Sequence, residues 1–233
     1  MKTIGVIGGM SWQSTLQYYR LLNESVQARL GGAHSAKLLL ASVDFSEVKE
    51  LQHSAAWDAV GDLIRDYAVQ LQDAGADLML IAANTMHRVA PKVEQALRIP
   101  LLHVADVTAA AVKRAGHGRA ALLGTRFTME QEFYRARLRE RGPLETLIPE
   151  PADRDLIHRI IYEELCQGRL VPESRVAFRR IIRALVAQGA DSVILGCTEI
   201  GLLVAQDDSP VPVFDTTALH VAAAVEWALE KQP

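Results

Sequence analysis

A thiol, a hydroxyl and a carboxylate stand side by side directly after a short apolar run. The run covers residues 193–195, and Gly196 separates it from Cys197, Thr198 and Glu199. Its length and β-branched content predict a strand that is covered on both faces. Because ligands bind at the C-terminal ends of strands in open parallel α/β sheets, we expect a functional thiol at Cys197 rather than a buried structural one. Such a thiol can act as a thiolate or as an acid.

The same pattern occurs a second time in the chain. Residues 75–85 read GADLMLIAANT and match residues 189–199, GADSVILGCTE, with the same spacing. This duplication predicts two related halves that pack about a pseudo-two-fold axis with a cleft between them. Positions 83 and 197 would then lie on opposite walls of the cleft. One wall offers the thiol of Cys197, whereas the other offers only the methyl group of Ala83.

Composition and charge exclude several classes of function. The chain has 233 residues, 49% hydrophobic content and a net charge of −3, which gives no electrostatic case for nucleic acid or for an anionic membrane. No apolar run is long enough to span a bilayer, and the N-terminus shows no signal-peptide pattern, so we expect a cytoplasmic protein. The two cysteines and seven histidines show no disulfide framework or metal-ligand spacing, and no metal is expected.

Apolar periodicity predicts the elements that position these residues. Strands are expected at 3–7, 36–43, 77–82, 99–104, 120–123, 145–148, 193–195 and 211–214. Helices are expected up to about 29 and at 57–74, 106–115, 129–141, 153–167, 172–188 and 217–229. We therefore predict an α/β protein with two pseudo-symmetric three-layer α/β/α domains. Each domain would hold a four-stranded, mainly parallel sheet, with the active site in the cleft between the domains.

The predicted domains are discontinuous. Residues 1–103 together with 212–233 would form the first domain, and residues 104–211 the second. The last helix would return to the sheet of the first domain, by analogy with the helix that follows residue 104.

Polar groups also follow other predicted strands. The turn Gly8-Gly9-Met10-Ser11 joins a strand to a helix N-terminus and suits a carboxylate or phosphate, although it lacks the G-x-G-x-x-G dinucleotide spacing. Asn84 and Thr85 follow strand 77–82, and His87 is either a proton carrier or a helix-face residue. Thr125 and Thr128 stand at a helix start, where a hydroxyl and backbone N–H groups favour a carboxylate.

These motifs together resemble the aspartate/glutamate racemase family. The resemblance rests on GGMSWQST at 8–15, NTMH at 84–87 and GCTEIG at 196–201, and it runs the full length of the chain. The pattern is most similar to the bacterial broad-specificity amino-acid racemases, which need no pyridoxal phosphate. The resemblance implies an isomerase without a cofactor, a small amino-acid substrate and a homodimer.

The family uses two thiols on opposite faces of the substrate Cα, one to remove the α-proton and one to donate a proton. The resemblance places Cys197 at the second thiol. It implies that Asn84, Thr85, Thr125 and Thr198 hold the α-carboxylate. The remaining residues that we assign to substrate binding are Met10, Gln52, Thr128 and Glu199.

Ala83 occupies the position of the first thiol, and here the sequence departs from the family pattern. Some members carry Thr at this position, but Thr retains a hydroxyl and Ala does not. Three explanations stay open: a laboratory replacement of Cys or Thr, a natural site that uses water, Thr85 or His87 instead, or a single-base reaction.

Three functions are compatible with this sequence. The leading hypothesis is a racemase whose activity is impaired or one-sided because of Ala83. The second is a decarboxylase of the wider superfamily, in which a single thiol protonates an enolate. The third is a protein that binds an amino acid without catalysis.

Overall fold

The computed structural model describes residues 1–230, which form two compact α/β units. The first unit comprises Met1–His103 and the described residues from His220 onward, and the second comprises Val104–Leu219. Each unit is built on a parallel β-sheet, so the predicted α/β class is confirmed.

The sheet of the first unit has three parallel strands. They are β1 (Ile4–Gly8), β2 (Leu38–Ser42) and β3 (Leu78–Ile81), in the order β2-β1-β3. The helices up to residue 103 are α1 (Trp12–Leu30), α2 (Phe45–His53), α3 (Trp57–Asp73) and α4 (Ala90–Ala96), and a 3₁₀ helix covers Thr85–Val89.

The sheet of the second unit has four parallel strands. They are β4 (Arg119–Gly124), β5 (Glu145–Leu147), β6 (Ser192–Gly196) and β7 (Val213–Asp215), in the order β5-β4-β6-β7. The helices after residue 103 are α5 (Val104–Arg114), α6 (Arg126–Glu130), α7 (Glu132–Arg141), α8 (Pro151–Glu163), α9 (Pro172–Ala187), α10 (Ile200–Leu203) and α11 (Thr216–Leu229), with 3₁₀ turns at Leu165–Gln167 and Gln206–Asp208. Helix α11 starts in the second unit and continues into the first from His220 onward.

Both faces of each sheet are covered by helices. Successive side chains of a strand point to opposite faces, so the central strands are apolar throughout. In the first unit, α3 covers one face, and α1 together with α11 covers the other. In the second unit, α8, α9 and α10 cover one face, and α5 and α7 cover the other. In each unit, the loops that carry the predicted site residues follow the C-terminal ends of the strands.

Three details correct the predicted arrangement. The strand expected at 99–104 is reduced to a single parallel bridge between Met79 and Leu101, because Pro100 has no N–H to donate and α5 begins at Val104. The helix expected at 129–141 is interrupted at Gln131, whose backbone is extended. Residues 212–219 lie in the second unit, because β7 pairs with β6, so the boundary expected at 212 falls at 220 within α11.

His220 connects three parts of the first unit through a fully buried imidazole. Its Nε2–H donates to the carbonyl of Leu102 at 2.8 Å. A carbonyl only accepts, so Nδ1 of the neutral ring accepts from the hydroxyl of Tyr18 at 2.9 Å. Burial lowers the pKa of His220 to about 4, and the ring is therefore neutral at physiological pH.

This buried histidine predicts loss of stability in mild acid. The folded pKa lies below that of the unfolded chain, about 6.5, so the unfolded chain takes up the proton first. The contribution of neutral His220 to the free energy of unfolding is present above pH 6.5. It falls as the pH drops and is smaller by about 2 kcal/mol at pH 5. We expect His220→Gln to remove about that much of the difference in unfolding free energy between pH 7 and pH 5. Urea unfolding at both pH values measures it, and an unchanged difference would contradict the prediction.

Candidate active site

Two glycines bring the C-terminal ends of β4 and β6 into close contact. A Cβ atom on Gly124 would lie 2.7 Å from the carbonyl oxygen of Gly196, which is closer than side-chain atoms approach. Glycine at position 124 therefore permits the approach of the two strand ends. Thr125 follows one strand end and Cys197 the other, so the fold delivers both predicted residues to the same edge of the second sheet.

Cys197, Thr198 and Glu199 form one hydrogen-bonded group at this edge. The thiol of Cys197 donates to Oε2 of Glu199 at 3.0 Å, and the hydroxyl of Thr198 donates to the same oxygen at 2.8 Å. Cys197 is 6% exposed and Glu199 is 2% exposed. The structure thus brings the three predicted residues together and makes the carboxylate the common acceptor.

The environment of Cys197 opposes ionisation of the thiol. Burial raises its pKa well above the ordinary value, and the negative charge of Glu199 and the proximity of Cys166 raise it further. Cys166 packs against the apolar cluster that contains Cys197, and neither cysteine forms a disulfide bond. At neutral pH Cys197 is therefore a thiol, the form that donates a proton.

Thr125 and Thr128 are paired at the start of α6. The Thr125 hydroxyl accepts from the backbone N–H of Thr128 at 3.2 Å, and the two hydroxyl oxygens lie 3.2 Å apart. Both side chains are buried. Arg126, which follows Thr125 in the chain, pairs with Asp155 at 2.8 Å.

Two residues of α8 that the sequence analysis did not identify also lie at this edge. His158 Nδ1 accepts from the backbone N–H of Arg126 at 3.2 Å, and its ring centroid lies 4.6 Å from that of Tyr162. Burial raises the pKa of Tyr162, and the proximity of Cys166, Cys197 and Glu199 raises it further, which places the phenol near the thiol. The four-residue spacing of His158 and Tyr162 on a predicted helix was the available signal.

The corresponding edge of the first sheet carries Ala83, which is 8% exposed and follows β3. Asn84 and Thr85, the next two residues, are also buried. His87 Nδ1–H donates to the carbonyl of Ala83 at 2.9 Å, and its ring centroid lies 4.4 Å from that of His103. The imidazole thus supports the backbone at position 83, where the side chain is a methyl group.

Met10 and Gln52 are buried in the same unit as Ala83. Met10, Ala83 and Met86 belong to one apolar cluster, and Gln52 Nε2 contacts Sδ of Met86 at 3.8 Å. Gly9 precedes Met10 with a φ of +91°, and a Cβ atom there would lie 2.2 Å from the carbonyl oxygen of Val43. Only glycine therefore fits at the turn that places Met10.

Within residues 1–230, no group of three or more His, Cys, Asp or Glu side chains is arranged to hold a metal ion. In the same part of the chain, none of the helices combines the length and the apolar character that a membrane crossing requires. The substrate-binding roles assigned to individual residues stay predictions.

Comparison with known proteins identifies the family. A family model described as Asp/Glu/Hydantoin racemase matches residues 7–224. A Yersinia pestis protein assigned to the Asp/Glu racemases has a crystal structure with a TM-score of 0.91 and 51% identity, over 99% of this chain and 100% of that one. An aspartate racemase homologue from Pyrococcus horikoshii OT3 has a TM-score of 0.85 and 34% identity, over 99% and 100% of the two chains. The broad specificity amino-acid racemase RacX of Bacillus subtilis strain 168 is 23% identical, over 98% of this chain and 99% of its own. The chain therefore belongs to the Asp/Glu/Hydantoin racemase family.

Proposed function

We propose that this protein is an amino-acid racemase that works without pyridoxal phosphate and uses Cys197 for proton transfer at Cα. The observation that carries the proposal is the buried thiol at the C-terminal end of β6, hydrogen-bonded to Glu199. The family assignment and the similarity to a broad specificity amino-acid racemase support it.

The reaction requires stabilisation of negative charge at Cα. The α-proton of a free amino acid is very weakly acidic, so the carbanion must be stabilised by hydrogen-bond donors that are already in position. We propose that Asn84, Thr85, Thr125 and Thr198 bind the α-carboxylate and supply these donors. Each of these side chains is buried, which limits competition from water.

Ala83 makes the proposed activity one-sided. Its methyl group cannot carry a proton, and the Nδ1 proton of His87 is engaged by the Ala83 carbonyl. Cys197 then exchanges the α-proton on one face of Cα, and a proton on the other face has to come from water or from the hydroxyl of Thr85. We propose that α-proton exchange with retention of configuration is faster than racemisation.

Proton exchange in deuterium oxide tests this function directly. Both enantiomers of aspartate, glutamate and a neutral amino acid are incubated with the protein, and the α-proton signal is followed by NMR while chiral chromatography follows configuration. We expect one enantiomer of at least one amino acid to lose its α-proton signal without inverting. A Cys166→Ala variant serves as the control and should exchange at the same rate. Absence of exchange for every substrate would contradict the proposal.

The protonated state of Cys197 also favours a second candidate, a decarboxylase. A single proton donor suffices to protonate an enolate that forms when carbon dioxide leaves a substituted malonate. Release of carbon dioxide from such a malonate, with no α-proton exchange of amino acids, would replace the racemase proposal. Stereoselective binding of an amino acid with neither reaction would instead indicate a binding protein.

We also propose a cytoplasmic homodimer whose ligands are small amino acids, with no nucleic-acid or membrane partner. Helix α1 exposes more than half of Trp12, Leu16 and Tyr19 at helical spacing, which provides an apolar face for a second copy. Sedimentation velocity separates the dimer from the 25.6 kDa chain, and a single species of that mass would contradict this assignment.

A further inference from the structure

We propose that Glu199 is a positioning residue that holds the Cys197 proton on sulfur, so that the resting site is a proton donor. The inference deepens the proposed function, since it concerns the same thiol, and it rests on the role proposed there for Cys197. It assigns to Glu199 a task different from contact with the substrate.

Glu199 is the hydrogen-bond acceptor for the side chains of Cys197 and Thr198. An ionised carboxylate only accepts hydrogen bonds, whereas a thiol and a hydroxyl can both donate. Cys197 and Thr198 donate to the same oxygen, Oε2, at 3.0 Å and 2.8 Å. Two such bonds hold the carboxylate in place, and the carboxylate in turn orients the thiol proton.

The titratable side chains around the sulfur disfavour a thiolate, whereas the backbone N–H of Glu199 acts in the opposite direction. Glu199 faces it from its own turn, Cys166 from the 3₁₀ turn after α8, and Tyr162 from α8 itself. None of these three side chains is of a type that carries a positive charge. Burial of Cys197 acts in the same direction, because a charged sulfur would lose hydration.

This arrangement favours the return of a proton from sulfur to Cα. Exchange begins when the thiol of Cys197 loses its proton to water. The thiolate removes the α-proton on its face: the C–H bond breaks, an S–H bond forms, and the electron pair stays on Cα. In deuterium oxide the thiol exchanges its proton for a deuteron from the solvent. The S–D bond then breaks, a C–D bond forms, and the electron pair returns to sulfur, which produces exchange with retention on that face.

Thiolate absorbance at 240 nm measures this arrangement without substrate. The parent is Cys166→Ala, in which Cys197 is the sole thiol of the chain. We expect its ionisation midpoint to lie above about 8.5, the ordinary value of a cysteine. Adding Glu199→Gln removes the charge but retains a side chain of similar size. It should lower the midpoint by about one pH unit or more, which corresponds to about tenfold more thiolate at pH 7.

Glu163→Gln is the matched control, because it removes an exposed carboxylate from α8. We expect it to leave the midpoint unchanged. An unchanged midpoint in the Glu199→Gln variant, or a parent midpoint below 8.5, would overturn the proposal. If Glu199→Gln does not fold, the parent midpoint decides alone. Because no amino acid is present, failure of the racemase proposal would appear in the exchange assay and not in this titration.

Discussion

Replacing Cys197 with alanine is expected to lower α-proton exchange by at least about a thousandfold. General acid–base catalysis by a positioned side chain typically contributes about 10²–10⁴-fold, and Cys197 is the proposed proton carrier on its face of Cα. Cys197→Ser should lose nearly as much, since a serine hydroxyl ionises far less readily than a thiol. Exchange in deuterium oxide, followed by NMR, measures both variants.

Cys166→Ala is the control for this prediction. Cys166 packs at the margin of the same apolar cluster and carries the same functional group. Its replacement therefore shows what the loss of a thiol does when that thiol is not the proton carrier. Circular dichroism should show equal folding of all three variants. Exchange by Cys197→Ala at more than about one tenth of the native rate would rule out the proposed role.

The second large effect is a gain of function. Ala83→Cys is expected to raise the rate of racemisation by about a hundredfold, because it supplies an acid/base group at the position that we propose for the second proton carrier. Met10 and Met86 belong to the same cluster as Ala83, and their flexible side chains can accommodate one additional sulfur atom. Chiral chromatography, which counts inverted product, is the measurement.

Ala83→Val separates the effect of the proton carrier from the effect of size. Valine adds a similar volume at position 83 without any ionisable group, so its racemisation rate should stay at or below that of the native chain. Ala83→Thr should be intermediate, because its hydroxyl can carry a proton. Equal rates for the Cys and Val variants would show that position 83 has no part in proton transfer.

Much of the fold and of the candidate site could be predicted from local patterns. The apolar run before Cys197 predicted β6, and the matching run before Ala83 predicted β3, since period and residue type report burial on both faces of a strand. The family resemblance stated from three motifs is confirmed by the match over residues 7–224. The absence of an ionisable group at position 83 is also a property of the sequence itself.

The tertiary structure decided the features that depend on residues distant in the chain. The pairing of β7 with β6 moved the unit boundary to residue 220, and the start of α5 left only one bridge at Leu101. The sequence placed Glu199 next to Thr198 but did not reveal that its carboxylate accepts a hydrogen bond from the thiol of Cys197. His158 and Tyr162 reach the site only through the packing of α8 on the second sheet. Helix and strand periods are local, whereas the ionisation state of a thiol depends on burial and on charges that the fold brings near it.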